Sequence, residues 1–434
     1  MADTDIDTGA NAGTDGGPGR TLLWQPPPRP EWVQRINEEG DCMDIRGVVP
    51  LDADSLINSA KAATGLDDFG VEDWREAFER MVVSMDTEAG LNLMGRLRTR
   101  SEILHLLEGR LRIEDTYKQH PEIDDEVVAA PLIVIGQGRS GTSMLCNVLD
   151  AHPDNCAPKH WEMIFPCPPP EAATYLTDPR IERGHKLIDQ WNRVTPTIAS
   201  MHEFAGHVPM ECCQLLGLAF RSSTWFDSLG QVPGYQMWLA GQDIRPALEY
   251  HKRTLKLLQW RNPRQHWVLK DPIHLDRMPQ ILEVYPDARF IWTHRDPVRA
   301  LASTVSLLGT VQWGRTDHPF RYGAFEYVTN PEFSAARFDA AIDQIESGAV
   351  PADRIHNMLY ADLVGEPVAA IQAMYDHFGL ELTDAGRAGI QAYLDANPRD
   401  ARPVHKVNLG TDELNQRDRL AYARYQSYFS IPYE

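Results

Sequence analysis

Leu132-Ile133-Val134-Ile135-Gly136-Gln137-Gly138-Arg139-Ser140-Gly141-Thr142-Ser143 decides how this chain folds. A continuous apolar run follows Pro131 and stops at a glycine-rich turn. Without polar alternation, such a run reads as a parallel strand buried on both faces. Met144, Leu145, Val148 and Leu149 then recur at helical spacing, and His152-Pro153 stops the helix. The unit expected is strand, glycine loop and helix, with backbone amides and a helix N-terminus aimed at an anion. Two residues narrow the anion. Thr142 stands where a nucleoside-triphosphatase loop carries the lysine that grips the outer phosphates, so a triphosphate would lose its main clamp. The cation sits inside the loop as Arg139, whose planar fork of donors suits a phosphate or sulfuryl group.

Further strands are expected at Trp267 to Leu269 and Phe290 to Trp292, joined by a helix from Met278 to Val284 in a right-handed parallel crossover. A last strand is expected from Met358 to Tyr360. Pro367 then starts a helix with the face Val368, Ile371, Met374, Tyr375 and Phe378, closed by Gly379. Upstream, Trp74, Ala77, Phe78, Met81, Val82 and Met85 mark the buried face of a helix. The fold class is therefore α/β: a P-loop-type parallel sheet flanked by helices, with a helical N-terminal extension and a helix-rich C-terminal part. Residues 1–40 read as a disordered or loosely attached tail, 41–130 as a helical layer and 131–434 as the core with its C-terminal helices.

Composition sets limits on partners. The chain has 434 residues, 43% of them hydrophobic, enough for a sizeable core. A formal charge of −20 argues against general affinity for nucleic acid or anionic membranes, so an anionic ligand must be held by local arginines and amides. No stretch has the roughly 18 apolar residues of a membrane span. The opening segment lacks the basic and apolar regions of a secretion signal, and the six cysteines form no disulfide framework, so a reducing cytoplasm is expected.

A second motif joins the loop. In His294-Arg295-Asp296-Pro297-Val298-Arg299-Ala300-Leu301-Ala302-Ser303, an arginine at a strand end and a hydroxyl on the next helix can reach one phosphate. With Arg139-Ser140-Gly141-Thr142, this block resembles the sulfotransferases that use 3′-phosphoadenosine 5′-phosphosulfate (PAPS). The likeness runs from about Leu51 to the C-terminus. It is nearest the large bacterial sulfotransferases related to protein-tyrosine sulfotransferases, through Leu149-Asp-Ala-His-Pro-Asp154, Leu269-Lys-Asp-Pro272, Tyr285-Pro-Asp-Ala288 and Tyr360-Ala-Asp-Leu-Val364.

The resemblance implies that Gly138, Arg139, Ser140, Gly141, Thr142 and Ser143 hold the 5′-phosphosulfate of PAPS, that Arg295 and Ser303 hold the 3′-phosphate, and that Tyr360 lies near the adenosine. It implies a small-molecule hydroxyl acceptor, 3′,5′-adenosine bisphosphate (PAP) as the second product, and no metal. Glu162, Lys270 and Arg139 are the expected catalytic residues: Glu162 as general base, Lys270 on the bridging oxygen. His160 beside Glu162 and His274 after Lys270 are rival bases, and an ion pair of Lys270 with Asp271 is the structural alternative. His202 and His207, five apart, cannot serve as i and i+4 zinc ligands on one helix face. Trp225, Phe226, Tyr235 and Trp238 read either as an acceptor pocket or as core. Arg402, His405 and Lys406 offer late cations. A P-loop kinase or nucleotidase, a non-catalytic nucleotide-binding relative, the acceptor's identity and homo-oligomer formation stay open.

Overall fold

The computed structural model describes residues 19–321, 323, 325–398 and 405–434. Strands β1 (Leu132–Gly136), β2 (Asn155–Cys156), β3 (His266–Lys270), β4 (Arg289–His294) and β5 (Ile355–Leu359) form one sheet in the order β2-β3-β1-β4-β5. All its pairings are parallel. The crossover from β3 to β4 carries the helix Met278–Val284 and passes over β1, which lies between those strands. The central strand is thus the one that ends in the glycine loop. That is where an open parallel sheet divides and leaves a crevice at its carboxyl ends.

The continuous apolar run of β1 serves two faces. Leu132 and Val134 pack with Val268 and Ile291 under Leu145 and Leu149 of the helix Thr142–Asp150 and Ile371 and Met374 of the helix Pro367–His377. Ile133 and Ile135 point the other way, into a larger core with Trp267, Phe290 and Trp292. That core continues into the N-terminal layer, made of helices Ala53–Thr64, Arg75–Thr87 and Leu93–Gln119. The six residues of the expected helical face, Trp74 to Met85, are all buried there. Asp52 and Asn92 start two of these helices by accepting the N–H groups of Ser55 and Gly95.

Two expectations change, and one strand goes unread. The loose segment through residue 40 does not hold from Arg20 onward: Arg20 is buried, forms an ion pair with Asp418 and donates to Asn415 Oδ1 at 2.7 Å, and a helix spans Glu31–Asp41. A few anchoring side chains outweigh its Gly- and Pro-rich composition because their partners lie far along the chain. Residues 1–18 of that segment lie outside the described residues. The last strand begins at Ile355 and ends at Leu359, so Tyr360 opens the helix Tyr360–Gly365 instead of closing a strand. The two-residue β2 is too short to leave a periodic signal. Among the described residues no helix is long and apolar enough to cross a membrane.

Candidate active site

Strand register assembles the site. Val134 lies beside Lys270 and Gly136 beside Thr293, so the loop after β1, the last residue of β3 and the first residue past β4 reach one edge together. Within the loop Arg139 has a left-handed backbone, φ 72°, a conformation that side chains rarely adopt. Gly141 has φ 97°, and a Cβ there would stand 2.8 Å from the Tyr360 ring. The loop can therefore close on Tyr360 only with glycine at that position. Ser140 points inward: its hydroxyl donates to the Gln137 carbonyl at 2.6 Å and lies 2.7 Å from Thr293 Oγ1, so it holds the loop's shape. The helix Thr142–Asp150 opens at the loop, presenting the unpaired first N–H groups of a helix.

Arg139 links the cations. Its Nε donates to Ser303 Oγ at 3.0 Å and its Nη1 to the Met201 carbonyl at 2.7 Å. Arg295 Nη1 donates to the Arg139 carbonyl at 3.1 Å, and the Arg295 guanidinium lies 4.2 Å from the centre of the Tyr360 ring. Burial, and then the charge of Arg295, hold the Arg139 guanidinium below its usual value. An anion between the two would relieve both effects. In this arrangement Arg295 is engaged by Glu434, whose carboxylate accepts from Nε at 2.9 Å and Nη2 at 2.8 Å.

Lys270 is buried, donates to Ser143 Oγ at 3.0 Å and forms an ion pair with Glu211. His202 Nε2 lies 3.9 Å from the same carboxylate. Burial pushes the Glu211 carboxyl up, but Lys270 and His202 overcome it and hold it well below the usual range. Two cavities meet here. One of about 440 Å³ is lined by Arg139, Thr142, Ser143, Lys270, Arg295 and Tyr360. The other, about 160 Å³, is reached past Gly138, Arg139, Ser143 and Glu211. Arg139, Thr142, Ser143 and His202 line both.

Residues 131–384 match the model of the Sulfotransferase family. The chain belongs to this family. Its fold is also that of solved sulfotransferases: STF9 from Mycobacterium avium, 28% identical with a TM-score of 0.74 over 88% of this chain and 98% of that one, and STF1 from Mycobacterium tuberculosis, 26% identical with a TM-score of 0.69 over 86% and 98%. Omega-hydroxy-beta-dihydromenaquinone-9 sulfotransferase Stf3 of Mycobacterium bovis and of Mycobacterium tuberculosis is 25% identical over 268 residues, 58% of this chain. The match spans 63% of the length of those curated relatives.

Within this sulfotransferase chain, the fold brings Arg139, Ser143, Lys270, Arg295, Ser303 and Tyr360 together but leaves Glu162 out. Glu162 is fully buried and lines neither cavity. Third in the helix His160–Ile164, it turns back to accept the Lys159 N–H at 2.8 Å and an Arg264 N–H at 3.2 Å. The expected base is thus a helix cap and ion-pair partner. His160 is also buried away from both cavities. His274 lines a separate small cavity with Leu216 and Ile281. Asp271 does not pair with Lys270: it caps its own turn and accepts from Thr224 at 3.0 Å.

The carboxylate that sequence reasoning missed is Glu211. Its one signal is a charge directly preceding the buried Cys212-Cys213-Gln214-Leu215-Leu216 run. Trp225, Phe226 and Tyr235 are core residues, with Trp238 packed against them. Of the late cations, Arg402 lies outside the described residues, His405 Nε2 is 2.9 Å from Ser306 Oγ, and Lys406 faces another cavity beside Arg20 and Trp24.

Proposed function

We propose that the protein transfers a sulfuryl group from PAPS to a hydroxyl of a small acceptor in the cytoplasm, releasing PAP. The observation that carries this reading is the convergence of the glycine loop, Arg139, Arg295 and Lys270 on one cavity, with Lys270 paired to Glu211. In the larger cavity the loop amides, Arg139, Thr142 and Ser143 would hold the 5′-phosphosulfate. Arg295, with Ser303, would hold the 3′-phosphate. Tyr360, Tyr393 and Leu394 offer aromatic and apolar surface for the adenosine. Six unpaired thiols fit a reducing compartment.

Glu211 is the base in this proposal. The acceptor oxygen attacks sulfur, the sulfur–oxygen bond to the phosphate breaks with its electron pair going to the phosphate oxygen, and the acceptor proton passes to Glu211. Lys270 and Arg139 stabilise the charge that grows on the transferred group and the leaving phosphate. Lys270 has two functions in sequence. It holds Glu211 ionised beforehand, and when drawn to the leaving oxygen it releases that hold, making the carboxylate a stronger base as the proton arrives.

Calorimetry with PAP and adenosine monophosphate tests the donor assignment. PAP is expected to bind at least about tenfold more tightly, a difference erased by Arg295→Ala, since a charged hydrogen bond is worth roughly 1.5–3 kcal/mol. Equal affinity of the unmodified protein for the two nucleotides would overturn it.

A further inference from the structure

We infer that the acceptor is an uncharged apolar alcohol or phenol that lodges a hydrocarbon group no bulkier than a single ring in the cavity behind the glycine loop, with its hydroxyl at Glu211. The inference rests on the sulfuryl-transfer reading and names the substrate class for the same site.

Three observations carry it. The first is size: the cavity measures about 160 Å³, and an apolar cavity of roughly 150 Å³ holds benzene. The second is its walls. Beyond the loop they include Leu275, Leu307, Leu308, Val328 and Phe338, and the surface facing the cavity is mostly apolar; three of these residues, Leu307, Leu308 and Val328, are only half-buried. The third is that most polar groups in the wall beyond the loop already have partners, whereas the Gln137 side-chain oxygen in the loop has none. Glu211 is paired with Lys270, and Arg337 with Asp276 at 2.9 Å. Asp227 accepts from Gln236 Nε2 at 2.8 Å and from the Tyr327 hydroxyl. Thr304 donates to the Ala300 carbonyl at 2.9 Å, and Thr224 to Asp271 at 3.0 Å.

A sugar placed there would find the Gln137 oxygen but strand most of its hydroxyls, and an anionic acceptor would find only Arg139, which the sulfuryl donor occupies in this reading. A hydrocarbon needs neither. The one polar atom such an acceptor carries is the oxygen that attacks sulfur, and it arrives where Glu211 lines this cavity beside His202, which lines both. Atoms balance as before: the acceptor oxygen gains the sulfuryl group, the phosphate keeps the electron pair and Glu211 takes the proton.

The test uses the full chain with PAPS and four acceptors, 4-methylphenol, 1-octanol, glucose and zwitterionic tyrosine, with mass spectrometry reading the gain of one sulfuryl group. The apolar pair is expected to exceed glucose and tyrosine in kcat/KM by about 100-fold or more. Leu308→Trp, which fills the cavity, is expected to raise KM for the apolar acceptors roughly tenfold while PAP affinity in calorimetry stays within about twofold of the unmodified chain. Val328→Phe gives the same split if the tryptophan variant does not fold. Preference for glucose or tyrosine, or unchanged KM in the folded variants, overturns the acceptor class while PAP binding keeps the donor reading intact. Failure of the unmodified chain to bind PAP overturns both.

Discussion

Two glutamates serve different partners: Glu211 meets Lys270 at the cavity edge, whereas Glu162 meets Arg264 and the Lys159 N–H inside a helix cap. Glu211→Gln is therefore expected to lower kcat by roughly 10²- to 10⁴-fold, the usual share of a general base. PAP affinity, read by calorimetry, should stay near that of the unmodified protein. Glu162→Gln should act on folding instead. It leaves the Arg264 charge without its partner, at a cost of about 2 kcal/mol in urea unfolding, with turnover per folded molecule retained. Loss of turnover in the Glu162 variant and retention in the Glu211 variant would reverse the two roles. A third carboxylate lies at the proposed donor site: Glu434 occupies the Arg295 guanidinium and reaches Arg299 Nε at 3.4 Å. A partly exposed pair of this kind is worth up to about 1 kcal/mol. Glu434→Gln is accordingly expected to tighten PAP binding by about fivefold at low salt, and calorimetry showing weaker binding would refute competition between that carboxylate and the ligand.

The glycine loop acts as one element with the helix Tyr360–Gly365 because Gly141 and Tyr360 touch. Gly141→Ala adds a methyl group at φ 97° against an aromatic ring 2.8 Å away. The left-handed backbone alone costs a non-glycine residue roughly 1–3 kcal/mol. The chain can relieve it by moving the loop or swinging Tyr360 from beneath Arg295. Either movement disturbs the anion site, so PAP affinity is expected to fall about tenfold or more, with only a modest shift in the melting temperature. A variant with unchanged PAP affinity would show that the loop and the tyrosine helix are not coupled. The segment before Glu211 shows a similar dependence between elements. It reaches Lys270 because the Cys212 N–H donates to the Lys270 carbonyl at 2.8 Å and the Met210 N–H to the Pro158 carbonyl at 2.9 Å.

Across the whole molecule, stability should depend on a buried acid that the proposed chemistry does not use. Burial pushes the Asp227 carboxyl up to about 8, against the opposing bonds from Tyr327 and Gln236. Its unfolded value is near 3.8. Between about pH 4 and pH 8 the folded state then holds more protons than the unfolded one, so this group's contribution to stability falls as pH rises through that window. Asp227→Asn is expected to flatten the decline, by at most about 1.4 kcal/mol per pH unit. Melting curves across the window would check it, and identical slopes in the two proteins would contradict it. Much of the frame that holds these groups was legible in sequence. The apolar run of β1, the glycine spacing, the helix face from Trp74 to Met85, and the positions of Arg139 in the loop and of Lys270 and Arg295 at strand ends are all local signals, because period and turn chemistry act within a few residues. The same reading stopped at Tyr360, where a strand end and a helix start look alike over three residues, and at Arg20, whose anchor Asp418 lies at the other end of the chain. Glu162 followed from the family resemblance, which matches positions along the chain and not places in space. Only the tertiary structure could place Glu211 beside Lys270. That contact depends on an irregular segment with no period to read, carried to the end of β3 by bonds between residues far apart in sequence.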